Sequence, residues 1–177
     1  MTSRRMAKLV GVLMAVAGLL TLVASFTPTG RADGTQVNFS FTVVSGTPGA
    51  DRIILTGDGK FNSAQVVGNG TFVHFLAVGS PPLPIEGAGT WKARRLISFT
   101  SIGTYGPGVS GVLLMEVDLV PNGGDVIPAT MKVVCNIAAG GLNTGLPEGV
   151  ILDIPGGTFS PFGAGLTFFN TGVEPRR

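Results

Sequence analysis

Two β-type runs decide the fold: GVLLMEVDLV at residues 111–120 and ATMKVVCNIA at residues 129–138. Between them lies PNGGD, residues 121–125, whose Pro, Asn and two glycines indicate a loop. In the first run Glu116 and Asp118 share one face, and apolar residues occupy the other. This period-two alternation predicts a strand with one packed face and one wet face, as antiparallel sheets allow.

The same pattern recurs along most of the remaining chain. Further strands are predicted at residues 36–44, 52–56, 64–67, 71–78, 85–91 continuing to 102, 150–154 and 166–170. Asp58-Gly59 indicates a hairpin turn between the second and third of these strands. No stretch shows a sustained 3.6-residue apolar period, so we expect no helix longer than a turn, with residues 142–148 forming one turn at most. Nine or ten short strands predict an all-β domain.

A glycine motif favours an antiparallel β-barrel over the alternative, a β-sandwich. The pattern Gly-x-Gly-Thr-aromatic occurs at residues 68–72 and 87–91, with a shortened copy at 156–159. Glycine inside a strand marks bulges, sharp bends and close backbone approach, which are the features that curl a sheet into a barrel.

The first 32 residues are typical of an export signal. Three basic residues (Arg4, Arg5, Lys8) precede an uncharged apolar run at residues 9–24, and small residues follow it. We expect a signal helix cleaved after Ala32, or alternatively after Ser25, which divides the chain into a signal peptide (1–32) and a β domain (33–177). The protein is then secreted, periplasmic or on the cell surface. In the alternative, an uncleaved signal tethers it to the membrane, and this segment is its only expected membrane contact.

Removal of the signal changes the charge argument. The signal carries four of the twelve basic residues and none of the ten acidic ones, so the net charge goes from +2 to −2. No basic stripe remains, and we expect no nucleic-acid partner. Cys135 and His74 are the only cysteine and histidine, too few to supply the three or four ligands of a zinc site. We therefore expect no metal and no cofactor, and we expect Cys135 to be a buried, inert thiol in a strand.

Three side chains are the candidates for catalysis: His74, Glu116 and Asp118. His74 can act as a base or as a pocket ligand, but a histidine held by one hydrogen bond explains it equally. The two carboxylates can share a proton or perform acid/base work. The plainer interpretation is a solvated face, with a cross-strand ion pair to Lys132.

The candidates for ligand binding are Trp91, Phe72, Arg94 and Arg95. We expect a barrel mouth formed by Trp91, Phe72, His74 and one arginine to suit a small apolar or amphiphilic ligand. Because adjacent strand residues point to opposite faces, Arg94 and Arg95 cannot both serve one site in an unbroken strand. Charged residues that protect a sheet edge explain the pair as well.

These observations support three hypotheses from different classes. The leading one is an exported small β-barrel protein that binds a small ligand or a cell-surface partner and performs no catalysis. The second is an isomerase or cyclase whose substrate lies in a barrel pocket, since such chemistry needs little more than one carboxylate, one histidine and shape. The third is a surface structural protein that self-assembles through its sheet edges.

Overall fold

A computed structural model describes residues 35–77, 82–163 and 165–172. The predicted signal peptide lies outside the described residues. The strands are β1 (Val37–Gly46), β2 (Asp51–Phe61), β3 (Val66–Leu76), β4 (Ile85–Tyr105), β5 (Gly108–Pro121), β6 (Ile127–Cys135), β7 (Gly149–Ile154), β8 (Gly157–Pro161) and β9 (Leu166–Thr171). One 3₁₀ turn, η1 (Ala138–Gly140), is the sole helical element of the described chain, and no described helix has the length and apolar character to cross a membrane.

The strands form a closed antiparallel barrel, so the sheet closes on itself as predicted. Each strand from β1 to β7 pairs with the next along the chain. Closure occurs at β1, where β8 and β9 lie end to end along one edge: Pro161 of β8 faces Ser45, and Leu166 of β9 faces Thr42. Since β8 and β9 together occupy one position, nine strands make an eight-stranded barrel.

Two sequence-based boundaries are wrong. Residues 57–59 lie inside β2 and form no turn, because Gly57 and Gly59 pair directly with Gly70 and Gly68 of β3. The turn is instead at residues 62–65, where the Asn62 side-chain oxygen accepts hydrogen bonds from the backbone N–H groups of Ala64 and Gln65. The predicted break at residues 155–157 is a turn as expected, but it ends one residue earlier, because Gly157 begins β8, a strand that was not predicted from the sequence and that pairs with β7.

Aromatic side chains fill the barrel interior. The Phe41 and Trp91 rings stack with centroids 5.6 Å apart, and Phe61, Phe99 and Phe169 contact one another edge-on or tilted. Aliphatic residues of β5, β6 and β7 complete this core with no exposed surface: Leu113, Met115, Val117, Met131, Val133, Val150 and Leu152. Burial of apolar side chains on this scale is the main stabilising contribution to the fold.

Glycines on the inner face make room for the largest of these rings. A Cβ atom on Gly57 would lie 2.1 Å from Cζ2 of Trp91, and one on Gly68 would lie 2.5 Å from Cζ of Phe39. The paired glycines of β2 and β3 therefore form the surface on which both aromatic rings rest. The glycine motif marks close approach here, as the sequence indicated.

Buried hydroxyl groups join the strands where the backbone ladder is incomplete. Ser45 of β1 donates to the Val150 carbonyl at 2.6 Å, and Thr167 of β9 donates to the Val134 carbonyl at 2.7 Å. Cys135 lies at the same seam, with Sγ 3.4 Å from the Thr167 carbonyl oxygen. Burial raises the pKa of this thiol above its usual value. The cysteine is thus buried in a strand, as expected.

Candidate functional site

The residues predicted to form a mouth are not brought together. Trp91 is 1% exposed, its indole N–H donates to the Thr56 carbonyl at 2.8 Å, and Phe72 is buried with it. Arg94 and Arg95 project to the outside of the barrel. Tryptophan and arginine therefore lie on opposite faces of the sheet.

His74 faces inward at one end of the barrel. Its Nε2 lies 3.3 Å from Oδ1 of Asp51, yet the two atoms are not aligned for a hydrogen bond. The ring packs edge-on against Phe159, with centroids 5.6 Å apart. The sequence did not predict Asp51 as the neighbour of His74, because the two residues come together only through the pairing of β2 with β3.

Both outward carboxylates of β5 are paired with arginines of β4. The Arg95 Nε donates to Oε2 of Glu116 at 3.1 Å, with a second contact between Nη2 and Oε1, and the Arg94 Nε lies 3.5 Å from Oδ2 of Asp118. The hydrogen bonds from Arg95 hold the pKa of Glu116 below its ordinary value. The predicted solvated ion-pair face is present, but its cations are these arginines. Lys132 lies opposite Leu114 instead.

A β-bulge explains how adjacent arginines reach one face. The β4–β5 register shifts between Ala93 and Arg95, so Arg94 is an extra residue on β4, and the strand resumes its alternation with Leu96 packed against the core. Two more register shifts follow on the same strand. Continuous alternation, assumed from the sequence, is wrong at this point.

The free edge of β4 begins where these arginines lie. Its pairing with β3 ends at Lys92, and within the described residues no strand covers that edge from residue 93 to 105. Bulges and charged side chains are features by which proteins protect an open sheet edge. The location of Arg94 and Arg95 agrees with the edge-protecting interpretation.

A groove on the outside of the barrel combines polar side chains with exposed apolar ones. We call it the outer groove; it crosses β9, β1, β2 and β3. Its first part is lined by Ser40, Thr42, Thr56, Asp58, Thr71, Leu166 and Phe168, and its second part by Gln36, Asn38, Asp58, Lys60, Val67 and Asn69. The two parts meet at Asp58.

Threonines in register form the floor of the first part. Thr42, Thr56 and Thr71 are direct cross-strand partners on β1, β2 and β3, and Thr90 of β4 extends the row. The Thr56 and Thr71 hydroxyls lie 2.8 Å apart and form a hydrogen bond. Leu166 begins the row from β9, opposite Thr42.

Two apolar side chains stand beside this row. Leu166 is 62% exposed and Phe168 is 55% exposed; they are two residues apart on the outer face of β9. Among the described residues, the side chains of Asp58, Lys60 and Asn69 make no hydrogen bond or ion pair. The groove thus combines exposed apolar surface with donors and acceptors that have no partner within the described part of the chain, and none of its residues is among those that the sequence predicted to form a site.

No grouping of three or more metal-ligating side chains occurs within the part of the chain that the structure describes. Comparison with family models, curated proteins and solved structures found no match for this chain.

Proposed function

We propose that this chain is an exported β-barrel protein that acts by recognition through the outer groove, with no turnover of a substrate inside the barrel. One observation carries the proposal: aromatic rings occupy the interior, whereas large apolar side chains are exposed outside it. Exposed apolar patches bordered by polar groups are typical of interaction sites. The leading sequence hypothesis of binding is kept, and its location moves from the mouth to the outer face.

Binding to the envelope of the producing cell tests this proposal. The purified domain is sedimented with the envelope fraction, and the bound fraction is measured as a function of protein concentration. We expect Phe168→Ser to weaken association at least tenfold. The matched control is Phe162→Ser, because Phe162 is 51% exposed but lies outside the groove, beneath the Arg52 guanidinium.

Equal behaviour of the two phenylalanine variants would refute a role for the outer groove. Loss of association in His74→Ala, with Phe168→Ser unaffected, would place the contact at the end of the barrel instead.

The His74–Asp51 contact is the observation that favours the second candidate, a barrel-pocket enzyme. A carboxylate beside an imidazole is an arrangement suited to general base chemistry. Glu116 lies on the opposite face of the sheet from His74 and cannot share a site with it. An enzyme of this kind therefore requires activity that His74→Ala and Asp51→Asn abolish and Glu116→Gln leaves intact.

A further inference from the structure

We infer that the outer groove binds a neutral glycan chain. This inference rests on the proposed recognition by the groove and specifies its ligand class. It follows from the hydrogen-bonding groups of the groove, its exposed apolar side chains, its charge balance and its shape.

The polar side chains of the groove are mostly groups that both donate and accept. The hydroxyls of Ser40, Thr42 and Thr71 and the side-chain amide of Asn69 each have both capacities, while the Asp58 carboxylate accepts through two oxygens. A ligand that satisfies such groups at closely spaced positions must itself carry many donor–acceptor groups. Neighbouring hydroxyls on a sugar ring meet this requirement.

The apolar side chains of the groove complement the apolar C–H surface of a sugar. A pyranose ring presents C–H groups on its faces, and an aromatic ring carries partial negative charge on its own face. Phe168 offers such a ring at the border of the groove, with Leu166 beside it. Apolar surface and hydroxyl groups thus lie next to each other, as the two surfaces of a sugar do.

The charge of the groove argues against polyanions. Among the residues that the structure describes, Asp58 and Lys60 are the two charged residues that line the groove, and they are of opposite sign. A nucleic acid or a sulfated polymer requires a cationic surface, which this groove does not provide. The balance suits a neutral ligand.

The shape of the groove indicates a chain. Crossing from β9 to β3 takes three inter-strand steps, a distance of about 14 Å at roughly 4.8 Å per step. A peptide cannot add as a further strand here, because β1 and β2 are paired along both edges. An extended glycan needs no free backbone edge, since it bonds to side chains.

Native affinity electrophoresis tests the inference. The protein is run in gels that contain β-1,3-glucan, xylan, galactomannan or dextran, and Kd is obtained from the retardation at several polymer concentrations. We expect at least one of these polymers to retard the wild type, and heparin not to do so. Phe168→Ala should weaken binding at least tenfold and Asp58→Ala at least fivefold. The matched controls Phe162→Ala and Asp125→Ala should bind like the wild type.

Absence of retardation by all four polymers overturns the inference, as does unchanged retardation of Phe168→Ala. Unfolding curves of each variant, followed by Trp91 fluorescence, establish that the fold is intact. Different results would refute glycan binding and recognition by the outer groove. If no polymer binds but envelope association still depends on Phe168, recognition by the groove stands and the glycan does not. Loss of envelope association after protease treatment of the envelope, together with no retardation by any of the polymers, identifies a protein partner and overturns the glycan inference.

Discussion

Gly57→Ala should strongly destabilise the barrel, although it adds only one methyl group. The new Cβ would lie 2.1 Å from Cζ2 of Trp91 and 2.9 Å from Cε2. The indole cannot simply move away, because it stacks on Phe41 and its N–H is bonded to the Thr56 carbonyl. Overpacking and loss of this buried hydrogen bond together cost about 4 kcal/mol. That is a large fraction of the roughly 5–15 kcal/mol by which native domains are stable.

Urea unfolding followed by fluorescence measures this effect, since Trp91 is the only tryptophan. With a denaturant slope of roughly 2 kcal/mol per molar, the midpoint should fall by about 2 M. The matched control is Gly87→Ala, because no atom lies within 4 Å of the Cβ position there. That variant should unfold at or slightly above the wild-type midpoint.

A second substitution checks the mechanism. Trp91→Phe removes the indole atoms that the new methyl group would strike, so its cost combined with Gly57→Ala should be smaller than the sum of the separate costs. Circular dichroism replaces fluorescence for this variant. A Gly57→Ala protein with the wild-type midpoint would refute the packing of Trp91 on the paired glycines.

Three further predictions concern buried and paired groups. Thr167→Val should lower the unfolding free energy by about 1–3 kcal/mol, because it removes the buried hydrogen bond from the Thr167 hydroxyl to the Val134 carbonyl. Thr158→Val, on the exposed β7–β8 hairpin, should change the unfolding free energy little. Equal urea midpoints for the two variants would contradict a stabilising role of the buried hydroxyl groups. Cys135 should react with a thiol reagent at the rate of unfolding. Because burial raises the pKa of Cys135 in the folded protein, the neutral thiol contributes fully to stability below the pKa of the unfolded state. That contribution declines as pH rises above the unfolded pKa. An unfolding free energy that stays constant across this alkaline range would contradict the burial of Cys135. NMR titration should find the pKa of Glu116 below its usual value. The small stabilising contribution of the ion pair is therefore present at neutral pH and disappears as pH falls through the folded pKa. Arg95→Ala should raise the pKa of Glu116, and an unchanged pKa would exclude the ion pair.

The alternating pattern was sufficient to locate most strands. Residues 111–120 and 129–138 correspond to β5 and β6 with small shifts at the ends, since their inner faces are uniformly apolar. Asp58-Gly59 misled because the glycines on either side of Asp58 make room for rings from other strands, Gly57 for Trp91 of β4 and Gly59 for Phe39 of β1. A contact between residues distant in sequence overrode a local turn preference there.

The outer groove could not be predicted in the same way. In the sequence Leu166 and Phe168 alternate with Thr167 and Phe169, so both faces of this strand carry apolar residues and the pattern does not reveal which face closes inward. That depends on the pairing of β9 with β1, where Phe169 enters the core and Phe168 is left outside. The arginine pair was similarly obscured, because a bulge is a property of two strands together.

Hydroxyl-radical footprinting of the protein, free and bound to the envelope fraction, tests recognition by the outer groove most directly. Mass spectrometry compares the oxidation of individual side chains. We expect Leu166 and Phe168 to become protected on binding, while Phe162 continues to be oxidised and Trp91 is protected in both states. Protection confined to His74, with Phe168 oxidised equally in both states, would contradict recognition by the outer groove and place the binding site at the end of the barrel.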